Sequence, residues 1–102
     1  MQESLQKIHA LLDELIEIAR SLVLLSNEVA SEDEINALQV EQEQIIQELM
    51  RLDEELHREF PELAKEGSPE KMAIHEKMTE FQKLNRRFIE NLERGSGLIK
   101  FE

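Results

Sequence analysis

The chain has 102 residues, with 23 acidic against 12 basic side chains for a formal net charge of −11, and it contains no cysteine, Trp or Tyr. So acidic a surface cannot displace counterions from nucleic-acid phosphates or settle on an anionic bilayer. Without thiols there are no disulfides, thiol nucleophiles or sulfur-ligated zinc.

Glycine and proline are absent from residues 1–60; both prolines and Gly67 fall between Pro61 and Pro69, and the other two glycines are Gly95 and Gly97. Elsewhere Leu, Glu, Gln, Ile, Ala, Lys and Arg dominate, most of them good helix formers. A first helix is expected over residues 4–27, with Ser4 as N-cap. Its Leu5, Ile8, Leu12, Leu15, Ala19, Leu22 and Val29 recur at three- and four-residue spacing and share one face. Leu11, Ile18 and Leu25 form a flanking stripe, while Ile16 and Val23 widen the other side. Such breadth fits a helix that touches two neighbours.

Phase then decides whether the first helix runs on. Its repeat would bring Asp33 and Asn36 to the seam, but the apolar residues are Ile35 and Leu38, about 200° further round a straight helix. A turn is therefore expected near residues 27–31, with Ser31-Glu32-Asp33-Glu34 reading as a capping box. The second helix, 32–60, carries Ile35, Leu38, Ile45, Leu49, Leu52 and Leu56, with Gln42 at the vacant seam position and Ile46 and Met50 alongside. Pro61 disfavours a helical residue before it, and Leu63 is placed on a short turn that Pro61 starts. Ser68-Pro69 opens a third helix, 69–94, whose seam is Ile74, Met78, Phe81, Asn85, Phe88 and Leu92, flanked by Leu84 and Ile89. Arg94 and Gly95 suit its C-terminus, leaving residues 96–102 as a flexible or docking tail.

The expected fold is all-α: an antiparallel up-down-up three-helix bundle over residues 1–95. Residues 1–50 hold 11 acids and 2 bases, residues 51–102 hold 12 and 10, so the third helix can partly neutralise the acidic first hairpin.

Chemistry-bearing motifs are sparse. Glu54 and His57 have the Glu-x-x-His spacing of carboxylate di-metal bundles, but a second copy of the motif is missing and neither His9 nor His75 supplies one. His75-Glu76-Lys77-Met78 lacks the glycine that follows a phosphotransfer histidine. Gln42 and Asn85 are the only polar seam residues; they are expected to fix register or to pair with each other or with water, and they cannot support charged catalysis in the interior. No enzyme activity, cofactor or metal is expected. Lys83-Leu84-Asn85-Arg86-Arg87 reads as a solvated face making ion pairs within the chain, the alternative being a contact for an acidic partner peptide. The flanking Leu11, Ile18, Leu25, Ile46 and Met50 are partly surplus to a central core and form the candidate partner-binding stripe.

Two passages carry a family likeness. Asp33-Glu34-Ile35-Asn36-Ala37-Leu38, leading into Glu41-Gln42-Glu43-Gln44-Ile45-Ile46-Gln47-Glu48-Leu49, resembles the second helix of FliT-like flagellar type III export chaperones. Leu84-Asn85-Arg86-Arg87-Phe88-Ile89-Glu90-Asn91-Leu92 is similar to the last helix of FlgN-like ones. Near Gln42 the FliT-like proteins often have an Arg, which this chain lacks. The resemblance implies a chaperone that binds the C-terminal amphipathic helix of a late export substrate, a filament cap or hook–filament junction protein, and presents it to the export gate. The alternative is a non-enzymatic helical adaptor or structural bundle acting through a homodimer or a partner helix. In either case no membrane span is expected, because the longest apolar run is Leu22 to Leu25 where a span takes about 20 residues. Met1-Gln2-Glu3-Ser4 is not the basic opening of a secretory signal, which places the expected protein in the cytoplasm.

Overall fold

The computed structural model describes residues 3–27, 32–62, 65 and 67–100, the last six for their backbone alone. Three helices account for nearly all of them: α1 (Glu3–Asn27), α2 (Glu32–Glu59) and α3 (Pro69–Lys100). The bundle is elongated, 55 × 23 × 17 Å. Between α1 and α2 the helix bounds agree with the expected break; Ser31 and the capping box it would anchor lie outside the described residues. Three acids, Glu32, Asp33 and Glu34, occupy the first turn of α2, where the helix dipole favours negative charge.

The α2–α3 connection follows its turn residues. Phe60 N donates to Leu56 O at 2.8 Å, closing the last turn before Pro61, and Leu63 lies outside the described residues. Gly67 has φ of 85°, a left-handed conformation that a Cβ would strain. Ser68 then caps α3: Lys71 N donates to its Oγ at 3.1 Å and Met72 N to its carbonyl oxygen at 2.9 Å.

Among the described residues α1 supplies eight of the thirteen buried apolar side chains, which makes it the middle helix. Leu5, Ile8 and Leu12 pack with Leu52 and Leu56 in a lower core. Above it Leu15, Ile16, Ile18, Ala19 and Leu22 pack with Ile45, Phe81 and Phe88. Asp13 meets Lys77 and Ser26 meets Asn91, so α3 runs parallel to α1, and α2 runs antiparallel to both. This is the expected all-α three-helix bundle.

One expected boundary is corrected. The third helix was placed at 69–94 with a tail over 96–102, but α3 continues to Lys100, through Gly95 and Gly97. A glycine inside a helix costs only about 1 kcal/mol relative to alanine, and every residue added to a formed helix gains a backbone hydrogen bond. Gly95 lies inside the continuous helix and so does not cap it. Nor does Arg94 cap the end, since its Nη2 donates to Asn91 Oδ1 at 2.7 Å. Because Asn91 stands level with Ser26, near the end of α1, about two turns of α3 run on past that end.

Candidate functional site

The helices are not equally close. α1 packs against both α2 and α3, but among the described residues no Cα of α2 comes within 8 Å of a Cα of α3. Two helices in ridge-and-groove contact have axes 8–10 Å apart and, with Cα atoms on a cylinder of about 2.3 Å radius, facing Cα atoms about 5 Å apart. A gap above 8 Å therefore separates facing axes by roughly 12 Å or more. That is wider than the spacing of a closely packed helix pair. Opposite α1, a groove separates α2 from α3.

This slot holds a cavity of about 290 Å³. Ile46, Leu49 and Met50 of α2 form one wall, and Ile74 and Met78 of α3 the other; Ile8, Leu12 and Leu15 of α1 lie beneath them, buried under the wall side chains. The polar groups at the slot are Asp53, Lys71 and His75. Lys71 Nζ lies 3.8 Å from Asp53 Oδ1, linking α3 to α2 at this end of the slot. Both side chains are partly exposed, so the link is weak and easily opened. On the other side of Asp53, His57 Nδ1 lies 2.8 Å from its backbone oxygen. Met50 is 62% exposed and Ile46 37%, so the α2 wall presents apolar surface to solvent.

The five residues of the expected partner stripe are divided by this geometry. Ile46 and Met50 line the slot. Leu11, Ile18 and Leu25 lie about 60° round α1 from the Ile8–Leu15–Leu22 line and do not reach it. Ile18 is 7% exposed and belongs to the upper core, and Leu11 packs against both cores. Leu25 is half-buried. Ile18 is therefore not free to meet a partner. The α3 wall and the α1 side chains beneath the slot went unnoticed in the sequence, although Ile74, Met78 and Ile8 were all expected seam positions. Whether a seam side chain closes on a neighbour or lines a gap depends on interhelix distance, which periodicity does not encode.

The two polar seam residues also behave differently from expectation. Gln42, one turn before Ile46 on the same α2 wall, is 7% exposed and its Nε2 has no hydrogen-bond partner, so it does not pair with Asn85 through that group. Asn85 is half-buried and lines a shallow depression with Gln82, Arg86, Ile89, Glu90 and Glu93. The satisfied buried amide is Asn91: its Nδ2 donates to Ser26 Oγ at 3.0 Å, and Ser26 Oγ in turn donates to Val23 O at 2.8 Å.

Among the described residues no group of three or more His, Asp or Glu side chains is placed to hold a metal ion. Nor is any helix long and apolar enough to cross a membrane. His9 is partly buried beside Lys77, and burial first, then that ammonium, lowers its pKa below the usual imidazole value against the pull of Asp13. On the outer face of α2, Arg51 donates to Glu48 through Nε and Nη2, both at 2.8 Å, and to Glu55 through Nη1 at 3.3 Å. That fork holds the Glu48 carboxyl below the usual carboxylate range. A comparison with protein families, curated proteins and solved structures finds no match for this chain.

Proposed function

We propose that this chain is a helix-binding chaperone that takes one amphipathic α-helix of a protein client into the slot opposite α1. The observation that carries the reading is the wide separation of α2 from α3 with Ile46 and Met50 exposed along the groove. A helix laid there would bury Ile46 and Met50 and complete a four-helix arrangement, with its own apolar side chains filling the cavity. The slot offers no reactive constellation, so the chemistry it supports is burial of apolar surface. This is the kind of recognition made by flagellar export chaperones, which the α2 and α3 sequences resemble. On that reading the client helix is the C-terminal segment of a filament cap or hook–filament junction protein. The chaperone would act in the cytoplasm and hand its client to the export gate.

The test is binding of such a C-terminal peptide to the native chain and to single variants. Met50→Glu is expected to abolish binding, while Leu24→Glu, at an exposed α1 position away from the slot, is expected to leave it unchanged. Equal loss in both variants would remove the slot from the account. A concentration-dependent dimer that the peptide does not dissociate, and that Met50→Glu does, would transfer the slot to a second copy and favour the adaptor reading.

A further inference from the structure

Two of the four methionines stand on the slot, one on each wall, and we propose that Met50 is a modification site: oxidation of its thioether by hydrogen peroxide turns helix docking off. The inference rests on the helix-docking reading and adds how that docking is regulated.

The chain contains no Cys, Trp or Tyr. Thiolates ordinarily meet a hydroperoxide ahead of thioethers, but none competes here, so the methionine sulfurs are the first groups in the chain to be oxidised. Access then ranks them. Met50 is 62% exposed on the α2 wall, whereas Met78 on the facing wall is half-buried and packs against both cores. Met72 is 58% exposed but does not line the slot, and Met1 lies outside the described residues. Met50 is therefore the described sulfur that is at once open to oxidant and part of the site.

The chemistry is a two-electron oxygen transfer. The sulfur lone pair bonds to one oxygen of the peroxide as the O–O bond breaks, and the other oxygen leaves as water after a proton shift. A dithiol reverses the step: it removes the oxygen as water, becomes a disulfide and restores the thioether.

The product changes what the wall can bury. A thioether is a flexible apolar filler, but a sulfoxide carries an oxygen that must accept a hydrogen bond. In the free chain Met50 faces solvent and water supplies that bond, so the bundle tolerates the change. Under a docked helix the oxygen would lie among Ile46, Leu49 and the apolar side chains of the client, without water. Among the polar groups at the slot, Asp53 as a carboxylate has no proton to give, and Lys71 Nζ is turned to it at 3.8 Å. The unmade hydrogen bond falls on the bound state alone, which is what separates a switch from general damage. A polar group buried without a partner is expected to weaken binding by about tenfold or more.

The test is limited peroxide treatment of the native chain, followed by peptide mapping and by titration with an amphipathic peptide that has Leu and Ile anchors and no Met. Met50 and Met72 are expected to oxidise ahead of Met78, with the helical signal intact and affinity for the peptide down about tenfold or more. Methionine sulfoxide reductase with a dithiol is expected to restore it. Met72→Leu should show the same loss; in Met50→Leu, whatever its starting affinity, peroxide should change nothing. Met50→Gln, polar and of similar helix propensity, should reproduce the loss without oxidant. Unchanged affinity with Met50 fully oxidised, an equal loss in peroxide-treated Met50→Leu, or loss of the helical signal would overturn the switch and leave helix docking standing. An untreated chain that binds no such peptide would overturn both.

Discussion

Replacing one apolar residue by glutamate separates wall from core, and the pair Ile18→Glu and Met50→Glu makes the sharpest contrast. Ile18 is 7% exposed, so substitution forfeits nearly all of the roughly 1.5–3 kcal/mol that burying an isoleucine contributes. It also places an unpaired carboxylate among Leu22, Ile45 and their neighbours, at a cost of several kcal/mol more or an equivalent rise in its pKa. A chain of this length has a total stability of about 5–15 kcal/mol, and a narrow bundle lies toward the low end. Ile18→Glu should therefore consume most of the margin. Met50 is 62% exposed, so its share of burial is about 1 kcal/mol or less, and a glutamate there keeps its charge in water. Met and Glu also have nearly equal helix propensity. Urea unfolding followed by far-UV circular dichroism is the suitable assay, because the chain has no Trp or Tyr to report by fluorescence. A loss above about 2 kcal/mol in Met50→Glu would refute the open slot, since only a buried position responds so strongly.

Other outcomes follow from single observations. Gln42→Leu should stabilise the chain by about 1 kcal/mol or more, because it removes a buried donor without an acceptor; a destabilisation in urea unfolding would mean that Nε2 is satisfied in solution. Asn91→Ala should cost about 1–3 kcal/mol, since it breaks the link to Ser26 and leaves Arg94 without its acceptor; an unchanged melting temperature would count against that network. His9 has a lowered folded pKa, so it contributes stability that is full above the unfolded value near 6.5 and is lost as pH falls through the folded one. Relative to His9→Gln, the native chain should therefore lose stability on acidification below about pH 6.5, measured as the difference in Tm between the two proteins at each pH. A difference that stays flat or changes in the opposite direction would contradict the burial of His9 beside Lys77.

Much of the fold was legible because helical periodicity is a local property. The phase slip between Leu22 and Ile35, the clustering of Pro61, Gly67 and Pro69, and the Ser68-Pro69 start correspond to the ends of α1, α2 and α3. The end of α3 was misread because Gly95 was given the meaning of a cap, whereas within a formed helix it is only a small penalty. Of the residues lining the slot, two were singled out in the sequence. Ile46 and Met50 stood out as apolar residues beside a seam that was already full. Leu11, Ile18 and Leu25 had the same appearance on α1, but α1 is the middle helix and its broad face is taken up by two neighbours. Asn91 gave no sign of its role, because its partner Ser26 is 65 residues away. That Lys83 and Arg86 make no ion pair among the described residues was hidden for the same reason: composition supplies possible partners, but geometry decides whether they meet.

The methionines offer the most direct measurement of the central claim that a helix docks between α2 and α3. Met50 and Met78 line the slot on its two walls, and Met72 is exposed elsewhere on α3. With the methyl groups carbon-13 labelled, titration of an amphipathic client peptide should shift the Met50 and Met78 signals together, with one binding curve, and move Met72 far less. Shifts confined to Met72, or a bound peptide that leaves Met50 and Met78 unmoved, would contradict the account.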